Sequence, residues 1–329
     1  MRKPKKKKHG FLTIVILIII VLFYAFSDVD DDITVKIEKG VSTTEIADIL
    51  KDNDVINSKT MFLIFVNLSE YKGKLQYGTF NFKKGDGYSE IIRKLATSGA
   101  KKETVTVTIP EGYSVEKIIE RLVSSGLGTK RELIQALNDN YDYEFLKHIN
   151  TSKTNYRLQG FLFPATYEFY TDDMPHKIID TMLKEFEKQY SSLGVSYDNL
   201  YEIITKASLI EREAKIDEER AKIAGVIENR LKKNMRLQID ATVVYAISDG
   251  LYNVDRVLYK DLETNSPYNT YKYTGLPVGP IANPGLKSIK AAINPDKHDY
   301  LYYRTDEKKQ DGSHIFTKDF ESHTTSAKG

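Results

Sequence analysis

Residues 198–215 read Asp198-Asn-Leu-Tyr-Glu-Ile-Ile-Thr-Lys-Ala-Ser-Leu-Ile-Glu-Arg-Glu-Ala-Lys215, and their spacing predicts an amphipathic helix. Apolar residues recur along this stretch at the intervals of three and four that bring side chains onto one helical face. The positions on that face are Leu200, Ile203, Ile204, Ala207 and Glu211. A helix of this kind buries one face in the core of an α+β domain, and the rest of the domain is predicted around it.

Glu211 is the charged member of this apolar face, whereas Glu202 and Glu213 are predicted to point the opposite way. A carboxyl group held against hydrocarbon is disfavoured in its charged form. A carboxyl group that keeps its proton near neutral pH can act as a general acid. The helix therefore predicts Glu211 as a catalytic acid, with no second carboxylate beside it.

The positive charge of the chain is concentrated at its N-terminus. The formal net charge is +2, but Arg2, Lys3 and residues 5–8 contribute six positive charges. The remaining chain holds 42 basic and 46 acidic residues, a net charge of −4. A mildly acidic body without a basic stripe argues against nucleic-acid binding. The absence of cysteine excludes disulfides, thiolate metal sites and a cysteine nucleophile.

A run of sixteen residues, FLTIVILIIIVLFYAF, follows the basic cluster from Phe11 to Phe26. Its length is just under the roughly 17–25 residues of a membrane-spanning helix, and the positive-inside rule keeps the lysines in the cytoplasm. We predict a cytoplasmic tail at 1–10, a transmembrane anchor at 11–27 and an acidic linker at 28–32. The residues after the linker then lie on the extracytoplasmic side of the cell membrane. A signal peptide cleaved near Ser27 is the alternative.

An internal repeat follows the linker. Residues 35–50 match residues 107–122 at a constant offset of 72, and residues 80–91 form a related fragment. Each copy predicts a short strand, a glycine turn, a serine N-cap and an amphipathic helix. We therefore predict a small α+β module at 33–98 and a connecting α+β module at 99–154.

The first module resembles the LysM-type βααβ domains that bind amino-sugar polymers. The resemblance rests on the predicted strand, the Gly40-Val-Ser42 turn and the helix containing Ile46-Ala-Asp-Ile-Leu50. Binding of glycan by this module is one interpretation. A spacer with ordinary strand, turn and helix packing is the other.

Residues 155–329 are predicted to form a mixed α+β catalytic domain. Further helices are expected from about 174 to 190 and from 217 to 233. In the second of these, Asp217 is predicted as the N-cap, and Asn234 ends the helix. Its acidic residues come first and its basic residues last, which complements the helix dipole. The acidic residues Glu218 and Glu219 and the basic residues Arg230, Lys232 and Lys233 are thus given a structural role.

A segment rich in Tyr, Pro, Gly and Asn extends from Thr264 to Gly285. Its prolines and glycines forbid long helices and central strands, so an ordered loop around a cleft is predicted. Tyrosine rings beside amide and hydroxyl groups suit a neutral sugar, which needs both stacking and hydrogen bonds. The alternative is a packed Ω-loop whose tyrosines fill a small core of their own.

Strands at residues 300–304 and 314–317 predict a C-terminal hairpin. The six histidines are scattered, with no H-x-x-x-H or H-E-x-x-H pair, so no metal site is predicted. Phosphate-binding glycine loops and the G-x-S-x-G elbow of serine hydrolases do not occur either. We therefore predict no metal and no cofactor.

Several motifs stand in a fixed order after residue 155. They are Ala207-Ser-Leu-Ile-Glu-Arg-Glu213, Asn229-Arg-Leu231, Met235-Arg-Leu-Gln-Ile-Asp240, Tyr268-Asn-Thr-Tyr271, Thr274-Gly-Leu-Pro-Val-Gly-Pro-Ile-Ala-Asn-Pro-Gly285, Ser313-His-Ile-Phe316 and Ser322-His323. Together they resemble the endolytic murein transglycosylases, the MltG or YceG-like family. The anchor and the LysM-like module correspond to the usual N-terminal half of that family.

The resemblance implies a lyase that cuts the β-1,4 bond between N-acetylmuramic acid and N-acetylglucosamine within peptidoglycan strands, without water. Glu211 would protonate the glycosidic oxygen and then, as a base, accept the proton of the muramoyl 6-hydroxyl. The product would carry a 1,6-anhydro ring. The residues expected to position the sugar are Gln238, Asp240, Tyr268, Asn269, Tyr271, His314 and Phe316.

The implied partners are peptidoglycan strands, the membrane and possible cell-wall synthases, the penicillin-binding proteins. Two other functions stay open. A hydrolytic muramidase would need a second carboxylate across the scissile bond, and Asp240 is the nearby acid in a motif that could supply it. A non-catalytic peptidoglycan-binding scaffold would keep Glu211 as a hydrogen-bonded core acid.

Overall fold

The computed structural model describes residues 32–38, 40–97, 104–150, 154–254 and 256–326. The chain divides into two compact units, Met1–Glu103 and Thr104–Gly329. The predicted tail, anchor and nearly all of the predicted linker lie outside the described residues. Within the described ranges, no helix combines the length and the hydropathy that crossing a bilayer requires.

The first unit has the element order β-α-α-β-α. Its elements are β1 (Asp32–Ile37), α1 (Thr43–Asp52), α2 (Lys59–Leu68), β2 (Gly78–Lys83) and α3 (Tyr88–Thr97). β1 and β2 pair antiparallel, with Asp32 opposite Lys83 and Ile37 opposite Gly78. The first four elements have the βααβ order predicted for residues 33–98, and one more helix follows them. A relationship to LysM domains stays a prediction.

The internal repeat forms the local structure predicted for it. Ser42 and Ser114 each cap a helix, and their hydroxyls accept hydrogen bonds from Glu45 N and Lys117 N respectively. The turn glycine before each cap has a positive φ, 88° at Gly40 and 78° at Gly112. Residues with a Cβ rarely adopt this conformation, which explains the glycine at this place in both copies.

The second unit contains four strands and eight helices among its described residues. They are β3 (Thr104–Thr108), α4 (Val115–Ser124), α5 (Lys130–Ala136), β4 (Thr166–Tyr170), α6 (Pro175–Ser191), α7 (Leu200–Glu213), α8 (Arg220–Lys232), α9 (Asp240–Ile247), α10 (Leu286–Ile293), β5 (Tyr302–Thr305), β6 (His314–Thr317) and α11 (Phe320–Ser326). Short 3-10 helices occupy Glu144–His148, Asp217–Glu219 and Tyr259–Glu263. The helices predicted near 174–190 and 198–215 are confirmed, and so is the C-terminal hairpin.

Residues on both sides of position 154 share one core. β3 pairs antiparallel with β4, so that Thr104 lies opposite Tyr170 and Thr108 opposite Thr166. Val107 and Ile118 belong to the same buried cluster as residues from α6, α7 and α8. The sequence-based division between 99–154 and 155–329 therefore falls inside one compact unit.

α7 is the central helix of this unit and packs against α8, α9 and α10. All residues from Ile203 to Ile210 are buried, including the polar Thr205, Lys206 and Ser208. Lys206 is compensated by Glu228, whose Oε1 lies 2.6 Å from its Nζ. The middle of α7 consequently has no solvent-facing side.

The helix predicted from 217 to 233 begins differently from the prediction. Residues 217–219 form a 3-10 helix, and α8 begins at Arg220. The prediction of Asp217 as an N-cap is wrong, because its carboxylate makes no capping bond and instead pairs with Arg220 Nε at 3.0 Å and with Lys287. Asn234 has a φ of 52° just beyond the end of α8, which confirms the predicted end.

Candidate active site

A pocket of about 390 Å³ is lined by the end of α7, by α8 and α9, and by the β5–β6 hairpin. Four of the residues predicted to bind sugar line it together. They are Gln238, Asp240, Tyr271 and His314. The carboxylate that α7 contributes to this pocket is Glu213, and Glu211 is not among its lining residues.

Glu213 has the raised pKa that the sequence predicted for Glu211. Its Oε2 accepts a hydrogen bond of 2.8 Å from the Tyr303 hydroxyl on β5. Burial raises the pKa of the Glu213 carboxyl, and the charge of Asp240 raises it further, against the opposing effect of the Tyr303 hydrogen bond. The pocket therefore holds a carboxyl group that retains its proton to a higher pH than an ordinary glutamate.

The prediction that Glu213 points away from the protein interior is wrong, and the position of α7 explains why. Helical periodicity separates a buried face from a solvated face only when one side of the helix meets water. The middle of α7, residues 203–210, is buried on every side, and near the end of the helix Tyr303 of β5 contacts Glu213. The partner of Glu213, Tyr303, is 90 residues further along the chain.

Glu211 is held by donors rather than surrounded by hydrocarbon. Its Oε1 lies 3.2 Å from Arg220 Nη1, and its Oε2 accepts a hydrogen bond of 3.0 Å from Gly285 N. The same Arg220 nitrogen donates to Ser288 Oγ at 2.6 Å. Only 6% of the Glu211 side chain and 10% of the Arg220 side chain are exposed. This buried ion pair fastens the end of α7 to the starts of α8 and α10.

A second carboxylate also lies near Glu211, so the predicted isolation of that residue is wrong. Glu111, in the turn between β3 and α4, packs its carboxylate so closely on Gly285 that a Cβ there would collide with it. Burial raises the pKa of Glu111, and the charge of Glu211 raises it further, while Arg220 opposes both. Sequence spacing did not predict this proximity, because the two glutamates are 100 residues apart.

One wall of the pocket is built from the start of α9 and the loop around residue 270. The Tyr271 hydroxyl donates to Asp240 Oδ1. Gln238 has a φ of 53°, and its backbone nitrogen donates to Thr270 O at 3.1 Å. A left-handed backbone at a residue with a long side chain costs energy and is concentrated at functional sites. Here the left-handed backbone sets the direction of the Gln238 side chain beside the pocket.

Three of the predicted sugar-binding residues have other surroundings. Tyr268 is 2% exposed and packs edge-on against Tyr245, with a ring separation of 4.8 Å. Asn269 is 1% exposed and donates to the carbonyls of Leu262 and Thr264. These two side chains shape the loop, and their predicted contact with sugar stays a prediction.

Phe316, the third, packs against neighbouring aromatic residues and does not line the pocket. Its ring lies 5.9 Å from that of Tyr303 and 6.2 Å from that of His314. The Nζ of Lys222 lies 5.0 Å above it. Phe316 therefore supports two residues of the pocket wall from behind.

The loop from Thr264 to Gly285 combines both interpretations made from its composition. Tyr271 forms part of the pocket wall, whereas Tyr268 fills the core. The far end of the loop is fixed by Asn283, whose Oδ1 accepts hydrogen bonds from Gly160 N at 3.0 Å and Leu162 N at 2.9 Å. A fully buried amide with these partners holds the loop rigidly against the rest of the unit.

Comparison with known proteins gives the family. Residues 35–329 match the model of the YceG-like family. The chain belongs to that family. An endolytic murein transglycosylase of Bacillus subtilis (strain 168) is 40% identical over 307 residues, which cover 88% of this chain and 82% of that protein.

Two further proteins that this YceG-like protein resembles belong to the same family by name. The endolytic murein transglycosylase of Streptococcus pneumoniae (strain D39) is 31% identical over 300 residues, 83% of this chain. The match covers 54% of that longer protein. A crystal structure of a putative YceG-like protein from Listeria monocytogenes is 33% identical with a TM-score of 0.57, and the match covers 90% of this chain and 99% of that one.

Two residues that line this YceG-like pocket, Glu213 and Tyr303, and one beside it, Glu219, were not predicted from the sequence. Glu213 was assigned to the wrong face of α7. Glu219 was assigned to the helix dipole, but it is 8% exposed and binds His314 on β6. Tyr303 was noted only as a strand residue. The available signal was the closeness in sequence of Glu211, Glu213 and Glu219, all of which precede α8. Spacing along one helix could not show which of them enters the pocket.

No group of three or more His, Cys, Asp or Glu side chains in the described residues is arranged to hold a metal ion. The pocket instead offers a carboxyl group with a raised pKa, a second carboxylate, three tyrosines and two imidazoles. This set can transfer protons and hydrogen-bond a sugar, as acid–base cleavage of a glycosidic bond requires.

Proposed function

We propose that this YceG-like protein is a peptidoglycan lytic transglycosylase that acts within glycan strands. Its reaction is the non-hydrolytic cleavage of the β-1,4 bond between N-acetylmuramic acid and N-acetylglucosamine. The names of the Bacillus and Streptococcus relatives support the reaction class. The single observation that carries the assignment of the site is the half-buried Glu213, whose pKa is raised, in a pocket with Gln238, Asp240 and Tyr271.

Glu213 is the acid in this proposal. A general acid has to hold its proton near the working pH and release it to the leaving oxygen. Glu213 is suited to the first condition, because burial and the charge of Asp240 raise its pKa against the opposing effect of the Tyr303 hydrogen bond. Glu211, which the sequence favoured, is paired with the Arg220 guanidinium and lies outside the pocket lining.

Three other side chains hold the sugar. Tyr271 and Asp240 are linked by a hydrogen bond, so their orientations are fixed before substrate arrives. The strained backbone of Gln238 places its amide at the same wall. A neutral sugar ring presents several hydroxyls and an acetamido group, which these donors and acceptors satisfy.

The reaction consumes no water. Glu213 donates its proton to the glycosidic oxygen, and the bond from that oxygen to C1 breaks. The muramoyl 6-hydroxyl then bonds to C1 and releases its own proton to a base. One proton is delivered and one is removed, so the strand ends in a 1,6-anhydro ring and no external nucleophile is needed.

A hydrolytic muramidase is the second candidate, and one observation favours it. Glu213 and Asp240 line the same pocket, and ordinary glycosidases use two carboxylates on opposite sides of the scissile bond. In that reaction Asp240 would activate water or form a covalent intermediate. The strand would then end in a reducing sugar.

Product analysis separates the two candidates. Intact sacculi are digested with the purified full-length protein, and the soluble fragments are examined by mass spectrometry. We expect 1,6-anhydro-muramoyl ends, which are lighter by one water than reducing ends. Reducing ends without anhydro sugar would instead establish a muramidase. Strands left uncut by the folded, purified protein would contradict both reactions.

We also propose that the protein stays in the cell membrane through residues 11–27, with its N-terminus in the cytoplasm and both units outside. The support is the basic cluster before the apolar run and a length close to that of a bilayer span. Work beside the synthases that polymerise glycan would follow from this location. Nascent strands would be released or trimmed there.

The anchor is tested by the N-terminus of the mature protein. We expect membrane fractions to contain a chain that still includes residues 1–27, and alkaline carbonate washing to leave it in the membrane. A mature chain that begins near Asp28 would show cleavage by a signal peptidase and contradict the proposal. Pull-down of the membrane-extracted protein would identify any accompanying synthase.

A further inference from the structure

Glu219 and His314 form a buried carboxylate–imidazole pair beside the pocket. His314 Nδ1 lies 2.6 Å from Glu219 Oε2, and His314 N donates to both Glu219 oxygens at 3.0 and 3.1 Å. Only 6% of the His314 side chain and 10% of the Glu219 side chain are exposed. An ionised carboxylate only accepts hydrogen bonds, so the Nδ1 atom of the imidazole carries a proton. In the neutral ring, the lone pair is then on Nε2.

The remaining edge of this imidazole belongs to the pocket of Glu213. His314 lines the pocket, and its ring stands perpendicular to that of Tyr303 at 5.5 Å. The hydroxyl of the same tyrosine donates to Glu213. His314 Nε2 has no protein hydrogen-bond partner among the described residues, whereas Nδ1 is fully engaged. The acid and a free imidazole nitrogen thus face one substrate-sized space.

We propose that His314 is the base that accepts the proton of the muramoyl 6-hydroxyl, and that Glu219 is its positioning residue. This inference rests on the proposed transglycosylase function. The family resemblance assigns the acid and the base role to one carboxylate, whereas here Glu213 is the acid and His314 is the base. A carboxylate that holds Nδ1–H orients the ring and stabilises the imidazolium that forms.

The proton transfers balance. Glu213 gives one proton to the departing glycosidic oxygen as its bond to C1 breaks, and His314 Nε2 takes one from the 6-hydroxyl as the new bond to C1 forms. The enzyme is left with a Glu213 carboxylate and a His314 imidazolium. Passage of one proton from the imidazolium to the carboxylate, directly or through solvent, restores the starting state.

Other charged and titratable groups surround His314 and affect the pH dependence of its reaction. Glu219 binds the imidazole, and the groups that line the same pocket are Glu213, Arg230, Asp240, Tyr271, Tyr302, Tyr303, Arg304 and His323. The negative charge of Glu219 stabilises the imidazolium that forms when the ring takes up a proton.

The test measures kcat and KM against pH for His314→Gln and Glu219→Gln in the full-length protein, with anhydro ends as the product. A base must be neutral, so wild-type activity should fall on the acidic side. We expect His314→Gln to lower kcat by about 100-fold or more, with little change in KM, and to remove the acidic limb. Glu219→Gln should lower kcat less and shift that limb to lower pH.

His176→Gln is the matched control. His176 Nδ1 lies 3.0 Å from Asp139 Oδ2, so it has the same kind of partner, but this pair is on the surface, with 47% and 37% of the side chains exposed. We expect His176→Gln to retain wild-type kcat and the wild-type pH profile. His323→Gln removes the other imidazole of the pocket and should retain the acidic limb, whatever its rate.

Chemical rescue covers the case in which the glutamine variants are damaged in folding. In His314→Ala, free imidazole should restore part of the activity in proportion to its neutral form, whereas Glu213→Ala should show no such rescue. An unchanged acidic limb in His314→Gln, an unshifted limb in Glu219→Gln, or absence of rescue in a folded His314→Ala protein would each overturn the inference. Anhydro product in those same variants would leave the transglycosylase function intact.

Discussion

Replacement of Glu213 by Gln is expected to lower kcat for strand cleavage by about 10³-fold, within the range for loss of a general acid. Glutamine keeps the size of the side chain and can still accept from Tyr303, so the pocket should retain its shape and KM should change little. A loss confined to kcat identifies an interaction made only in the transition state. Release of anhydro-muramoyl fragments from sacculi gives the rate.

The pH profile of the wild type provides a second sign of the same residue. Glu213 works when protonated, so activity is present below its pKa and is lost as the pH rises through that pKa. Because burial raises the pKa of Glu213, the alkaline limb should lie above the range of an ordinary glutamate. Asp240→Asn should move this limb to lower pH, because the Asp240 charge contributes to raising the pKa of Glu213.

Glu211→Gln is the matched comparison, since both changes replace a carboxyl group by an amide of the same size in the same turn of α7. We expect this variant to cleave strands at a rate well above that of Glu213→Gln. If Glu211→Gln were inactive and Glu213→Gln active, the prediction from helical periodicity would be right and our assignment wrong. Full activity in both variants would show that neither glutamate is the acid and would contradict our assignment.

The second large effect is expected from Arg220→Met and concerns stability. Removing one partner of a buried ion pair leaves an uncompensated charge, at a typical cost of about 3–5 kcal/mol. Here the change leaves the Glu211 carboxylate and Ser288 without their Arg220 donor. Denaturant unfolding followed by tyrosine fluorescence should show this fall in the free energy of unfolding, as a lower midpoint.

Arg93→Met is the control for that measurement. Arg93 donates to both oxygens of Glu90 on the surface of the first unit, with 50% of its side chain exposed. Exposed pairs of this kind contribute little, so its unfolding midpoint should match that of the wild type. A double variant, Arg220→Met with Glu211→Leu, should recover part of the loss. Equal midpoints for Arg220→Met and the wild type would show that the pair does not hold α7 in place.

Much of the fold could be predicted from local sequence. The repeat at offset 72 predicted two strand–turn–helix units, and each forms with its serine cap and its turn glycine. The alternating strands near 300 and 314 predicted the hairpin. These features depend on neighbours a few residues apart, whose preferences for φ, capping and burial are present in any fold.

The candidate site was predicted only in part. Motif resemblance selected Gln238, Asp240, Tyr271 and His314, and the structure brings these four together. It also selected Tyr268 and Asn269, which the fold uses inside the loop. A family motif contains residues that shape a pocket as well as residues that touch the ligand. The motif alone does not distinguish the two kinds.

The sequence by itself determined that α7 is a helix, that a carboxylate stands near its end and that the chain is built like a YceG-like protein. Only the tertiary structure decided which carboxylate enters the pocket. Periodicity names the side that an amphipathic helix buries, but a helix enclosed on all sides has no solvent face to compare. The surroundings of Glu213 come from Asp240, Tyr303 and His314, whose positions depend on contacts between segments far apart in the chain.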